Sequence, residues 1–241
     1  MPPVHLFSTS RTARYMLLGE PGPAIQTVWF CLHDADQSVE DLAEQLRALE
    51  APDRLLVLPE ALSRYALAPT SPPQLARPAA AWLVPGSGDL LPDLLDLTAY
   101  LDELAASVLS QCPPQVPVTV LGCGQGAAAA CRWLAGNRTE YQRLVLYAAV
   151  FPPDFDRRAT FVGLPERPVT VVATTVDTLT PEASGQGLVQ DLLDVGLTAT
   201  LRHVTPGAVT LAALGPMEVP AGAAESTAAS GASPVRPEHR P

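Results

Sequence analysis

The stretch VTVLGCGQGAAAA at 118–130 constrains the fold more than any other part of the chain. An uncharged, largely apolar run from Val118 to Leu121 stops at Gly122 and passes almost directly into four alanines. A strand that is apolar on both faces belongs inside a sheet covered on both sides. An alanine run that begins without a spacer is the start of a helix. Glycine at 122, 124 and 126 lets strand and helix approach closely and gives the turn between them backbone freedom. Such a strand–turn–helix unit predicts an α/β protein with a mostly parallel sheet and helices on both faces.

Three readings of this turn stand side by side. The letters at Gly122, Gly124 and Ala127 fit the G-x-G-x-x-A pattern of a dinucleotide site. That pattern wants an acid about 20 residues on, at the end of the next strand. The next predicted strand, 144–150, carries none there, and the glycines lie mid-chain. The spacing also fits a nucleophile elbow, G-x-S-x-G, whose strained turn holds the central side chain up into a site. Here the central residue is Gly124, so the elbow is drawn without a nucleophile. A turn that uses glycine only for close packing explains the same letters with no ligand at all.

The flanking chain supplies the rest of the sheet. Strands are predicted at 14–19, 27–33, 53–58, 144–150, 168–174 and 198–204, most of them bounded by Pro, Gly or Asp. Ser38 followed by Asp41 reads as a capping box, and Val39, Leu42, Leu46 and Leu49 then share one helical face. A helix at 92–109 carries the stripe Leu94, Leu97, Leu101, Leu104 and Val108. The elbow helix runs to Leu134 and is stopped by Gly136 and Asn137, and another helix is predicted at 181–195. The proline- and alanine-rich segment 61–88 reads as a long surface excursion over the sheet. From Pro220 the chain lacks periodicity and large apolar residues, so 1–219 reads as a single domain and 220–241 as a disordered tail.

A net charge of −10 leaves no basic stripe for nucleic acid. No apolar run approaches the ~20 residues of a membrane span, and no secretion signal is evident. A cytoplasmic protein is the expectation. The cysteines at 31, 112, 123 and 131 lie at no metal-ligand spacing and read as reduced thiols, most of them buried.

Several short stretches occur together and in order: RTARY at 11–15, LGEPGP at 18–23, LPEALSRY at 58–65, YLDEL at 100–104 and CRWL at 131–134. In these the chain resembles the α/β-hydrolase family of small bacterial carboxylesterases and phospholipase-like esterases, from about Arg11 to Leu214. The resemblance implies the α/β-hydrolase fold and ester hydrolysis by Ser, Asp and His in that order, with neither metal nor cofactor. Carried over by position, the nucleophile falls on Gly124 and the acid on Asp177, in TTVDTLTP at 174–181. The base falls on Val209, where the family has histidine after Pro-Gly-Gly. His33, Asp34, Ala35, Asp36 and Gln37 stand in the oxyanion loop, with the Gln125 N–H as the other donor. A carboxylate at Asp34 or Asp36 opposes a developing oxyanion, the charge such sites most need to stabilise.

The resemblance therefore implies an esterase scaffold with its nucleophile and base positions vacant. The expected role is a non-catalytic binding module, with His33, Asp34, Cys123 and Gln125 around an old acyl pocket that receives a small apolar or acyl ligand or a protein partner. The competing reading is a working esterase that uses Cys123 or His203 instead. A structural subunit paired with an intact paralogue is the third reading.

Overall fold

The computed structural model describes residues 5, 7, 9–68, 75–84, 91–153, 155–174, 185–205 and 209–214. Seven strands form the main sheet: β1 (Tyr15–Leu18), β2 (Thr27–Leu32), β3 (Arg54–Pro59), β6 (Val118–Cys123), β7 (Arg143–Tyr147), β8 (Val169–Thr174) and β9 (Ala199–Val204). Their spatial order is β1-β3-β2-β6-β7-β8-β9. Only the β1–β3 pairing is antiparallel; the other neighbours run parallel. Every strand predicted from the sequence is present, with ends shifted by a few residues at most.

Helices cover both faces, as strands apolar on both sides require. On one face lie α2 (Leu91–Leu109), α3 (Gly126–Leu134), α4 (Arg157–Val162) and α5 (Gln186–Asp194). Their Leu101, Trp133, Phe161 and Leu192 pack with Phe30, Leu32 and Val120 of the sheet. On the other face α1 (Val39–Leu46) and the short α6 (Leu211–Leu214) cover Trp29, Cys31, Leu56, Leu58, Leu121 and Val172. The predicted capping box is formed: Ser38 Oγ accepts the Asp41 N–H while Asp41 Oδ2 accepts the Ser38 N–H, both at 3.1 Å. Val39, Leu42, Leu46 and Leu49 are buried together beneath it. No helix among the described residues is long and apolar enough to cross a membrane.

One expectation needs correction. The segment 61–88 is more than a surface excursion, since β4 (Ser63–Leu67) and β5 (Arg77–Ala81) pair as an antiparallel ribbon. The chain then dives inward, and Ala79, Ala80, Ala81, Trp82 and Leu83 are buried. Alanine and proline carry almost no hydrophobic periodicity, so small residues that pack inward leave no pattern to read. Residues 69–74 and 85–88 of this segment, and the predicted tail at 220–241, lie outside the described residues.

The strand order places the site. The chain goes from β2 outward to β3 and then returns to add β6 on the other side of β2. A crevice opens where the connections from two adjacent parallel strands diverge, outside their carboxyl ends. Here those ends are Leu32, leading into His33 and Asp34, and Cys123, leading into Gly124.

Candidate functional site

The elbow forms as its letters require. Gly126 opens α3 directly against β2, where a Cβ would lie 2.5 Å from the carbonyl oxygens of Leu32 and His33. Gly124 has φ +52°, in the left-handed region that side chains resist. Its N–H donates to the Tyr147 carbonyl at 2.9 Å, and its own carbonyl accepts from Val150 N–H at 2.9 Å. The turn is thus tied to the end of the neighbouring strand, β7.

Above Gly124, where an elbow side chain would stand, lies the carboxylate of Asp34. A Cβ built at 124 would overlap Asp34 Cγ and both carboxylate oxygens. Asp34 Oδ1 accepts two backbone N–H groups, from Gln125 and from Ala35, each at 2.7 Å. In a nucleophile elbow the oxyanion donors are the N–H after the nucleophile and an N–H from the loop between a strand and the first helix. Gln125 and Ala35 hold those two places, and one oxygen of this chain's own side chain receives both. Of the two carboxylates expected to oppose an oxyanion, Asp34 is the one seated there. Asp36, at φ +59°, instead accepts a hydrogen bond from the Tyr65 hydroxyl.

The loop that carries Asp34 is braced from two sides. Asp34 N–H donates to Gln37 Oε1 at 3.0 Å, and Gln37 O accepts Ala80 N–H of β5 at 3.1 Å. Gln125, 6% exposed, fastens the elbow to the same ribbon. Its Oε1 accepts Trp82 N–H at 2.9 Å and Leu83 N–H at 3.1 Å, while its Nε2 donates to Leu83 O at 2.7 Å. Trp82 Nε1–H donates to His33 O at 2.8 Å, and its ring lies 5.0 Å from the His33 ring. The buried N–H groups of residues 82 and 83 therefore find partners on a side chain where no ladder strand supplies them. Nothing in the sequence singles out the Gln125 side chain or Trp82 for these roles.

His33 is fully buried with both ring nitrogens engaged. Nε2 faces the Ala61 N–H at 3.0 Å and must accept, so Nδ1 carries the proton and donates to Asp34 O at 2.6 Å. Burial holds its pKa below the ordinary histidine value, partly offset by the Asp34 carbonyl and charge. It is a neutral brace for the loop, with no lone pair free to take a proton.

The other sequence-assigned residues fall as follows. Val209 is buried, packs with Cys123 and Val172, and faces the groove beside Gly124. It is carried into α6, whose last carbonyls are held by arginines: Arg202 donates to Ala212 and Ala213, and Arg143 donates to Leu214. Cys123 is buried, and its thiol is pushed up to about 12, mainly by burial and then by the Asp34 charge. A thiol held there carries almost no thiolate near neutrality. His203 lies on β9, two residues after Leu201, which packs toward the α5 face. Val204, next along, packs toward Val209. Strand alternation therefore turns His203, which is exposed, to the face away from the groove. Asp177 lies outside the described residues; β8 reaches the groove at Thr174.

The groove itself is open and holds about 800 Å³. Gly124, Cys123, Tyr147 and Val209 line it together with the charged Asp34, Asp36, Asp41, Glu44 and Arg77. Arg77 pairs with Asp41 at 3.4 Å.

Neither a family model nor a curated protein matches the sequence. Solved structures do match the fold. Esterase PE8 superposes with a TM-score of 0.60 at 17% identity, over 83% of this chain and 92% of that one. A phospholipase/carboxylesterase from Dyadobacter fermentans DSM 18053 gives 0.57 at 14% identity, over 86% and 95%. Acyl-protein thioesterase 2 of Zea mays gives 0.57 at 18% identity, over 83% and 93%. The chain has the α/β-hydrolase fold of these esterases, as the resemblance implied.

Proposed function

We propose that this protein is an esterase-fold binding module without ester-hydrolase chemistry. Its groove, lined in part by Gly124, Cys123 and Val209, receives a small apolar or acyl ligand, or a side chain of a protein partner such as an intact paralogue. One observation carries the reading: the Asp34 carboxylate occupies both the space above Gly124 and the two N–H donors that an oxyanion would need. Acyl transfer needs a nucleophile with a base beside it and a free pair of donors for the developing charge. Position 124 offers no side chain, position 209 offers an apolar one, and the donors are taken. Asp177 is, on this reading, what remains of the triad, and the protein works in the cytoplasm.

A rearranged esterase has less support. Cys123 is protonated and one position early, and His203 faces the other side of the sheet. The test is fluorophosphonate labelling together with turnover of short acyl esters, run beside a serine carboxylesterase of the same fold. In subtilisin, loss of the serine or the histidine alone costs about 10⁶ in kcat, so the expected result is background on both measurements. A labelled serine, or turnover at even a hundredth of the control's rate, would sink the reading.

A further inference from the structure

We infer that the hole beside the elbow is a two-donor carboxylate seat that this chain keeps filled with its own side chain, so that it binds a free monocarboxylate only when the Asp34 carboxylate is removed. The inference rests on the non-catalytic reading of the same groove and deepens it by naming what the hole recognises and what keeps it closed. The geometry is that of a bound anion. One oxygen receives two N–H groups at 2.7 Å, the length of charge-assisted bonds. Both donors are backbone groups, so they persist whatever side chains line the groove. Gln125 is also the residue from which α3 starts, and a helix N-terminus favours negative charge.

The receptor is held open by groups other than its occupant. The Gln125 side chain is fixed by three hydrogen bonds to Trp82 and Leu83. The Asp34 backbone is fixed by Gln37, and Gln37 by β5. His33 is locked between Ala61 and Asp34 O. None of these contacts uses the Asp34 carboxylate, so its removal leaves both donors aimed at an empty seat. That seat opens on the groove, so a small carboxylate can reach it from solvent. Gly124 is the second half of the device, because any side chain at 124 would overlap the carboxylate. In the wild type the occupant is tethered next to its seat and already oriented, so a free carboxylate competes at a heavy disadvantage. The wild-type groove therefore refuses carboxylate heads at this point and takes ligands by their neutral or apolar parts.

The experiment is an acetate titration of ¹⁵N-labelled Asp34→Ala, Asp34→Asn and wild type, with chloride at equal ionic strength as the control. In Asp34→Ala the Gln125 and Ala35 amide resonances should move and saturate with acetate, and stay still with chloride. Wild type should not respond to either salt, and Asp34→Asn, whose amide oxygen can keep the seat, should respond far less than Asp34→Ala. A folded Asp34→Ala that ignores acetate overturns the inference, as does a wild type that responds like it. If Asp34→Ala does not fold, the decision passes to the wild type. Its Gln125 amide proton should resonate well downfield, as a short bond to a carboxylate requires, and should move upfield in Asp34→Asn. A Gln125 resonance at an ordinary position, unchanged by that substitution, overturns the inference. Ester turnover by the wild type would instead break the non-catalytic reading, whatever acetate does.

Discussion

Gly124→Ala tests the coupling between the elbow and Asp34 most directly. The added methyl carries two separate costs. Left-handed backbone at φ +52° costs an L-residue about 1–2 kcal/mol. The new Cβ also overlaps the Asp34 carboxylate, which must leave its seat. Leaving breaks two hydrogen bonds to a charged acceptor, each worth about 1.5–3 kcal/mol when fully desolvated. Asp34 is only partly buried and the groove is open, so water re-pairs much of what is lost. The expected total is about 2–5 kcal/mol, which for a domain of this size lowers Tm by about 4–20 °C. Asp34→Ala removes the overlap, so in that background Gly124→Ala should cost only the backbone part, about 1–2 kcal/mol. The assay is a double-mutant cycle by urea denaturation, with m-values checked for constancy across the four proteins. Equal costs in the two backgrounds would refute the claim that the carboxylate fills the space above Gly124.

Four further outcomes are expected, three from this geometry and one from the sequence of the C-terminal segment. Gly124→Ser alone should stay at background ester turnover, because it gains no base and meets Asp34, whereas Gly124→Ser with Val209→His and Asp34→Gly should give a weak esterase; a fully active single mutant would reveal an unrecognised base. Cys123, with its thiol at about 12, should resist alkylation by iodoacetamide in the native protein near pH 8, as read by peptide mass spectrometry; rapid modification would contradict its burial. His33 has a folded pKa below its unfolded value near 6.5, so its contribution should be complete above that pH and decline as pH falls below it; His33→Gln should flatten the slope of stability between pH 7 and 5. Deletion from Pro220 onward should leave Tm unchanged, since ordering residues costs roughly 1–2 kcal/mol each and this segment has little to bury in return; a fall of several degrees would show that it docks.

The sequence by itself determined several elements whose cause is local. The β-branched runs specify strands apolar on both faces, Ser38 and Asp41 specify the start of α1, and the glycines at 122, 124 and 126 specify a tight elbow. Those features depend on neighbours within a few residues, so periodicity and turn chemistry reveal them. Gly124 and Val209 line one groove, because both follow strand ends that the sheet brings to the same edge. Only the tertiary structure decided the rest. The bond from Gln125 N–H to Asp34 spans 91 positions, and its existence depends on β2 and β6 lying side by side. The ribbon of β4 and β5, with the buried Trp82 and Leu83, has no periodic signature, and its polar partners sit on the far side of the elbow. Strand register likewise decides that His203 lies on the face opposite the groove. A carboxylate one residue past His33 reads in the sequence as a poor oxyanion loop. Only the packing of two strand ends seats it on the Gln125 and Ala35 N–H groups.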